Sequence, residues 1–251
     1  MNTRFSCVGC GKCCNDHYVP LTLEESRQWA ADGGTLIVLV EAFLENGHGV
    51  AAEQFEHARR RSIRVSSGTT RAWLAITFAA YNNGPCRNLN ADNRCGIYER
   101  RPLVCRIYPA EINPHIPLRA DRKDCPPESW EQGPALIVGG QLVDRELAGL
   151  IERSRQADRE DIEAKAAICA RLGISTTALK GNGFATYLPD MHRFMASIAE
   201  VREGRAARSA EQPWAFQLAD EDSAQALLAH GAAVTQTGAG HYRFIPLRSS
   251  D

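Results

Sequence analysis

The sequence predicts an α+β fold whose two halves differ in character. Residues 1–132 contain eight of the nine cysteines, together with short segments that favour strands and helices. Residues 133–251 contain one cysteine and several segments that favour helices, so this half is expected to be mostly helical. A chain of 251 residues can form one large domain or two modest ones with a real hydrophobic core. We therefore expect two regions, 1–132 and 133–251.

The first predicted helix spans residues 23–31. Thr22 stands at its N-cap and Glu25 follows three residues later, which is the pattern of a capping box. The pair Gly33-Gly34 is expected to end the helix. Residues 35–46 are apolar enough to form a strand or a buried helix, and their periodicity leaves both open.

The middle of the chain predicts a helix, a hairpin and a second helix. Residues 51–61 favour the first helix. Two strand-like segments, 62–65 and 71–78, flank small turn residues and predict a β-hairpin. Pro102 suits the first turn of the second, short helix. Cys105 would then lie one turn later on the same side of that helix.

The C-terminal half begins with a predicted hairpin over residues 135–143, which turns at Gly139-Gly140. Helices are expected in four places: 144–155, 158–171, 188–203 and after Asp220. A terminal strand is expected over residues 241–247. The segment 203–210, rich in Arg, Gly and Ala, is predicted to be a flexible linker.

Composition and charge exclude several classes of protein. The net charge of −1 gives no reason to expect nucleic acid or an anionic membrane as a partner. The longest apolar run, Leu36 to Val40, is far too short to span a bilayer, and the N-terminus has no apolar signal core. We expect a cytoplasmic protein without a membrane partner. In a reducing cytosol, nine cysteines indicate metal or redox chemistry rather than a disulfide scaffold.

The segment from Cys7 to Cys14 places four thiols within eight residues, in the order CxxCxxCC. Thiolates are soft ligands that suit zinc, copper(I) and iron–sulfur clusters. A spacing of two residues lets one turn of backbone direct neighbouring sulfurs at one centre. Gly9 and Gly11 permit left-handed backbone angles and a close approach of amide N–H groups to a negatively charged centre. The segment therefore predicts a loop wrapped around a metal.

A second block of cysteines completes the set of candidate metal ligands. The eight candidates are Cys7, Cys10, Cys13, Cys14, Cys86, Cys95, Cys105 and Cys125. Eight thiolates can form two four-thiolate sites, or one four-sulfur cluster with four thiols left for a second metal or a redox pair. The ninth cysteine, Cys169, lies in a helical segment and is expected to be a packed thiol.

The adjacent pair Cys13-Cys14 bears on how the ligands divide. Neighbouring side chains point in different directions, so the two sulfurs would serve two centres more easily than one. Ferredoxin-type sequences use CxxCxxC and a remote cysteine followed directly by proline, as at Cys125-Pro126. This favours Cys7, Cys10, Cys13 and Cys125 as one set and leaves other divisions open.

The charge of such a centre needs compensation. A four-thiolate zinc site and an oxidised four-iron cluster each carry two negative charges, which require partners when partly buried. Arg101 and Arg106 flank Pro102 and Cys105, and we expect both to lie beside the ligands. Arg87 and Arg94 fit a solvated surface at least as well. His17 could complete a site, although ordinary hydrogen bonds of a loop histidine account for it.

These motifs resemble a known family. The matching pattern is Cys7-x-x-Cys10-x-x-Cys13-Cys14, then Cys86, then Cys95-x-Ile97-Tyr98-x-x-Arg101-Pro102-x-x-Cys105-Arg106-x-Tyr108-Pro109, then Cys125. It resembles the YkgJ-type (CxxCxxCC) cysteine-cluster family, which is described as zinc- or iron-chelating. The resemblance covers about the first half of the chain and implies that all eight cysteines hold metal.

The sequence thus predicts a metal-binding protein, with iron in an iron–sulfur cluster favoured over zinc. Flagellin lysine N-methylases carry a similar cysteine domain, so the resemblance also allows a metal-dependent enzyme that modifies proteins. No S-adenosylmethionine motif, P-loop or nucleophile elbow is recognisable. The helical C-terminal half could offer a surface for a protein partner.

Overall fold

The computed structural model describes residues 2–204, 212–235 and 243–246. Within these ranges the chain forms seven α-helices and eleven strands. The helices are α1 (Leu23–Ala31), α2 (Phe55–Arg60), α3 (Leu103–Ile107), α4 (Glu128–Glu131), α5 (Arg145–Leu172), α6 (Met191–Arg202) and α7 (Glu221–Ala229). The strands are β1 (Thr3–Arg4), β2 (Val19–Leu21), β3 (Leu36–Leu44), β4 (Ile63–Ser67), β5 (Thr70–Ala80), β6 (Ala135–Val138), β7 (Gln141–Leu142), β8 (Thr176–Leu179), β9 (Gly183–Tyr187), β10 (Ala215–Gln217) and β11 (Arg243–Pro246).

The strands form one eight-stranded sheet and one three-stranded sheet. In the large sheet, β3 pairs antiparallel with β5 over its whole length, from Leu36 opposite Ala80 to Leu44 opposite Ala72. β2 and β4 pair antiparallel with β5. The other edge of β3 pairs with β9 antiparallel and with β8 in parallel, and these carry β11 and β10. The small sheet has the order β1-β6-β7.

Burial explains why residues 36–44 form a strand, the point that periodicity left open. Seven of the nine β3 residues are buried, so the strand is covered on both faces and reads as a continuous apolar run. The core around it includes Trp29 of α1, Ile168 of α5 and Phe194 of α6. Helices from both halves of the chain therefore cover the same sheet.

Several local predictions are confirmed. Helix α1 spans the predicted residues, and its capping box is complete: Glu25 N donates to Thr22 Oγ1 at 3.2 Å, and Thr22 N donates to Glu25 Oε2 at 2.9 Å. The hairpin of β4 and β5 and the smaller hairpin of β6 and β7 both form. Asp220 caps α7. These elements follow from residues that are neighbours in sequence.

The predicted fold class is wrong. The protein is a mixed α/β structure with large, mainly antiparallel sheets, and its C-terminal half contributes six strands, β6 to β11. Strands β8, β9 and β10 have three to five residues each, too few for a periodic signal. They form because they pair with a free edge of β3 or with one another, which is a tertiary contact that local sequence does not reveal.

Two of the predicted helices are one. Residues 144–155 and 158–171 belong to the single 28-residue helix α5. The junction at Gln156 and Ala157 contains no residue that breaks a helix, so the helix continues. Helix α6 is the predicted helix 188–203, shortened at both ends.

The remaining predictions about the C-terminal half are only partly within the described residues. Residues 205–210 of the predicted linker and residues 241, 242 and 247 of the predicted terminal strand lie outside them, whereas 243–246 form β11. The division into 1–132 and 133–251 stays a prediction, and strands from both sides of residue 132 share one sheet. No helix in the described ranges combines the length and the apolar character that crossing a bilayer requires.

Candidate metal centre

The first cysteine segment is a loop that ends in a short 3-10 turn, Lys12–Cys14. Gly9 and Gly11 have φ values of 68° and 70°, the left-handed conformation that glycine adopts without strain. A Cβ on Gly11 would also lie only 2.7 Å from the carbonyl oxygen of Asn93. Gly11 thus lets the first cysteine loop pack directly against the loop that carries the second block.

Backbone hydrogen bonds join the two cysteine blocks. Cys86 N donates to Cys14 O at 2.6 Å, and Asn15 forms an antiparallel bridge with Pro85. The chain then folds back, because Leu89 bridges Cys95 and Gly96 N donates to the carbonyl of Asn88 at 2.7 Å. Cys14, Cys86 and Cys95 are therefore brought together although they are far apart in sequence.

Helix α3 carries Cys105 and is anchored at both ends. Pro102 is the N-cap, one position before the first helical turn in which the sequence placed it. Leu103 N donates to Glu25 Oε1 at 2.8 Å, which ties α3 to the start of α1. Ile107 is buried in a second core with Leu150 and its neighbours on α5. Cys105 thus lies on a rigid element between the sheet and the cysteine loops.

Electrostatic interactions link four thiols into a first group: Cys14, Cys86, Cys95 and Cys105. Burial raises the pKa of Cys105 to about 12, and thiolates at Cys14, Cys86 and Cys95 act in the same direction. Burial also raises the pKa of Cys86, helped by Cys14 and Cys95. Thiolates at Cys14 and Cys95 thus make ionisation of Cys86 and Cys105 less favourable.

A second group surrounds Cys125. Burial raises the pKa of this thiol, and thiolates at Cys10 and Cys7 raise it further. The Tyr108 hydroxyl acts in the opposite direction through a hydrogen bond, with 3.7 Å between its oxygen and Cys125 Sγ. Cys7 and Cys10 of the first loop therefore interact electrostatically with Cys125, the remote cysteine that precedes Pro126.

The pair Cys13-Cys14 lies where the two groups meet. A hydrogen bond between the two side chains raises the pKa of Cys13 and lowers the pKa of Cys14 to about 6. Arg101 and His17 also favour the thiolate of Cys14. Cys13 interacts with Cys105 of the first group and with Cys125 of the second. The side chains of the adjacent cysteines therefore contact each other, and Cys13 interacts with thiols of both groups.

The donor set fits a metal that prefers sulfur, whereas the side chains are not yet arranged as closed ligand sets. Among the described residues, no three His, Cys, Asp or Glu side chains are placed so that they could hold a metal ion as they stand. Seven of the eight candidate cysteines are partly buried and Cys7 is exposed. Thiols that raise one another's pKa are those that a cation stabilises most when it binds their deprotonated forms.

Of the two predicted arginine partners, the structure brings only Arg101 into electrostatic contact with the thiols. Its guanidinium carbon lies 3.6 Å from the centroid of the Tyr98 ring, and its charge lowers the pKa of Cys14 and opposes the raised pKa of Cys105. The Arg106 guanidinium lies instead 3.9 Å from the Glu146 carboxylate on α5.

Each of the remaining residues that the sequence singled out, besides the eight cysteines, Arg101 and Arg106, has its own set of contacts. Arg94 is exposed beside Asp92, at 3.8 Å, whereas Arg87 lies over the Trp29 ring and favours the thiolate of Cys86. His17 Nε2 lies 3.4 Å from the Asp124 carboxylate. Cys169 is completely buried in α5, as expected for a packed thiol.

Tyr108 is a contact of the centre that sequence reasoning missed. Its hydroxyl accepts a hydrogen bond from Asp124 N at 3.2 Å and contacts the sulfur of Cys125. Burial raises the pKa of Tyr108, and the hydrogen bond to Cys125 adds to this. The signal that could have found it is its place in the motif that ends at Tyr108-Pro109.

Comparison with known families now adds to this geometry. Residues 6–126 match the CxxCxxCC family model, which carries the description "Putative zinc- or iron-chelating domain". The match covers the N-terminal part of the chain, which is therefore similar to that family. The matched region includes all eight candidate ligands, α1 to α3 and the centre of the large sheet, β3 and β5. No curated protein and no solved structure matches the chain.

Proposed function

We propose that this protein binds metal at two four-thiolate centres. The ligands of one centre are Cys7, Cys10, Cys13 and Cys125. The ligands of the other are Cys14, Cys86, Cys95 and Cys105. The observation that carries this division is which thiols act on one another. Thiolates at Cys7 and Cys10 raise the pKa of Cys125, and thiolates at Cys14, Cys86 and Cys95 raise the pKa of Cys105.

The adjacent cysteines support two centres rather than one. Cys14 interacts with the group on α3 and is hydrogen-bonded through its carbonyl to Cys86 N. Cys13 interacts with both Cys105 and Cys125. We assign it to the set with Cys125, because Cys14 already completes the set of four around Cys105. All-thiolate sets of four are the ligands that zinc and iron–sulfur clusters share.

We favour iron, held as an iron–sulfur cluster, over zinc. The CxxCxxC loop with a remote Cys-Pro is the ferredoxin-type arrangement, and such a cluster would supply one-electron transfer when bound. The residues of this chain would bind it, shield it and compensate its charge. Arg101 supports this role for the first group, and the Tyr108 hydroxyl supports it for Cys125.

The test is metal analysis of protein purified without oxygen, with its absorption spectrum. Iron and sulfide with broad absorbance near about 400 nm would support clusters, whereas a colourless protein with about two zinc ions would support paired zinc sites. Cys10→Ser should remove the metal of the centre that contains Cys125 before that of the other centre. Cys95→Ser should remove the metal of the centre that contains Cys105 before that of the other. Cys169→Ala is the matched control and should leave the metal content unchanged. Protein that retains full metal in both ligand variants would contradict the proposal.

A second candidate is a metal-dependent enzyme that modifies protein side chains. The observation that favours it is a cavity of about 360 Å³ whose lining includes Tyr108, which contacts Cys125, and Val104, which precedes Cys105 in the chain. This volume suits a small substrate or one side chain. An enzyme of this kind needs a coordination position open to solvent, so added cyanide should change the spectrum of the metal-loaded protein. A spectrum unaffected by cyanide would favour the closed centres of a binding protein.

The cytoplasmic location and the protein partner of the C-terminal half stay predictions.

A further inference from the structure

A second space lies on the side of the molecule where α2 faces α5. This groove has a volume of about 610 Å³, and the loop at Pro114 and His115 closes one of its sides. No cysteine is among its lining residues. The groove meets the smaller cavity beside Tyr108 at Arg61 and Asp158, which line both. It is therefore a separate site that the metal centre does not explain.

The groove has more cations than carboxylates. Four arginines and three carboxylates line it: Arg60, Arg61, Arg155 and Arg159 with Glu56, Glu152 and Asp158. Every one of these carboxylates is shared between two cations. The pairs are Glu56 with Arg59 at 2.9 Å and Arg60 at 4.0 Å, Glu152 with Arg159 at 2.7 Å and Arg155 at 3.8 Å, and Asp158 with Arg61 at 3.1 Å and Lys165 at 3.7 Å. Lys165 also lies 4.0 Å from Asp161. Among the residues that line the groove, the arginines still outnumber the carboxylates by one.

His57, which also lines the groove, adds an independent observation. Its Nε2 atom is buried and has no hydrogen-bond partner among the described residues. A buried polar atom without a partner costs free energy unless a ligand or water satisfies it. Burial lowers the pKa of His57 to about 4, helped by Arg61 and Arg155, so the ring is neutral near pH 7. A neutral ring whose proton is on Nε2 can donate to an oxygen of a ligand.

The arginines differ in how far their own contacts hold them. Arg155 donates through Nε to the carbonyl of Ile112 at 2.8 Å, which fixes the loop before His115. Arg61 is paired with Asp158 at 3.1 Å. Arg60 is 68% exposed, and its contact with Glu56 is long at 4.0 Å. Arg159 is held through Nη2, which donates to Glu152 at 2.7 Å and to Gln156 at 2.5 Å. Arg60 is therefore the side chain best placed to turn toward an incoming anion, and Arg159 faces the same groove from the opposite helix.

We propose that this groove binds a small anion that carries phosphate or carboxylate groups. Guanidinium groups bind the oxygens of such groups in a forked, charge-assisted geometry. Arg60 of α2 and Arg159 of α5 approach the anionic group from two helices, and His57, which also lines the groove, supplies Nε2 as a further donor. The volume of about 610 Å³ suits an organic molecule of metabolite size. This site does not depend on the two thiolate centres.

Isothermal titration calorimetry with inorganic pyrophosphate and with citrate tests this site in the full-length protein. We expect saturable binding of one anion per chain that weakens as sodium chloride is raised. Arg60→Gln and Arg159→Gln should each weaken binding by about tenfold or more, because each removes a charge-assisted hydrogen bond. Arg94→Gln is the control. Arg94 is an exposed arginine beside a carboxylate, that of Asp92, and it does not line the groove. The Arg94→Gln variant should bind the anion with the affinity of the wild type.

Nitrogen NMR of the histidine rings gives a second measurement. Saturating pyrophosphate should shift the ring signals of His57 and leave those of His48 unchanged. Binding of pyrophosphate alone would identify phosphate as the recognised group, and binding of both anions would identify negative charge in general. No saturable binding of either anion would overturn the proposal, as would equal loss in Arg94→Gln. Metal content measured in each variant should be unchanged, which separates this test from that of the metal centres.

Discussion

The sheet core and the cysteine region are stabilised by different physical means. Seven of nine β3 residues are buried. In the core beside that strand, the ring centroids of Phe78 and Phe194 lie 5.1 Å apart. In the cysteine region, no candidate ligand is fully buried, and most of the chain is loop and short turns. Apolar burial stabilises the sheet, whereas the cysteine loops contain few apolar side chains that could do the same. This difference indicates that the loops need cross-links, which metal–thiolate bonds would supply.

A small number of contacts join the two regions. Glu25 is the clearest of these, because one oxygen accepts from Thr22 N and the other accepts from Leu103 N. It caps α1, which packs on the sheet, and α3, which carries Cys105. The comparison therefore predicts that a change confined to the core or to the cysteine region lowers the stability of that region alone. A change at Glu25, which contacts both, should affect both regions.

The largest expected effect comes from removing metal with a chelator under reducing conditions. Structural zinc sites contribute about 10–16 kcal/mol of apparent free energy in small domains, so the loops should lose most of their order. Hydrogen exchange should increase at residues 7–16 and 84–101, whereas β3 and β5 keep their protection. Equal loss of protection in the sheet would mean that the two regions unfold together.

The next effect is in the core. Phe78→Ala removes a completely buried ring and should lower the free energy of unfolding by about 3–5 kcal/mol. Chemical denaturation measures this, with Val8→Ala as the control. Val8 is 48% exposed in the first cysteine loop, and its truncation should change stability by less than about 0.5 kcal/mol. Metal content per folded chain should be the same in both variants.

Glu25→Ala should lower the free energy of unfolding by about 1–3 kcal/mol, since it leaves two backbone donors without their acceptor. Because one of those donors begins α3, this variant should also release metal to a competing chelator faster than the wild type. Glu24→Ala is the matched control, because Glu24 is an exposed neighbour paired mainly with Arg27. A variant of Glu25 that loses stability but keeps the wild-type rate of metal release would show that the contact does not couple the regions.

The smallest effect distinguishes the two arginines near Cys105. Arg101→Gln should weaken metal binding by about tenfold, as removal of a neighbour that stabilises the ligands commonly does. Arg106→Gln should leave affinity nearly unchanged, because its guanidinium lies by Glu146 rather than among the thiols. Competition with a chelator of known affinity measures both. Equal effects in the two variants would contradict the roles assigned from their contacts.

Local sequence determined a substantial part of this fold. The capping box at Thr22 and Glu25, the hairpin of β4 and β5 and the hairpin of β6 and β7 were all predicted correctly. Each depends on residues within a few positions of one another, so chain neighbours carry all the information that is needed. The spacing CxxCxxCC likewise identified, from sequence alone, the family to which the N-terminal part is similar.

Only the tertiary structure decided the rest. The C-terminal half has strands β8 and β9 because they pair with an edge of β3. A sequence pattern of three to five residues cannot show that this edge is available. The two groups of thiols form because the carbonyl of Cys14 accepts from Cys86 and because α3 is anchored by Glu25 and Ile107. Sequence can identify which atoms are able to bind a metal through their chemistry. Their grouping depends on distances between segments far apart in the chain, and folding alone sets those distances.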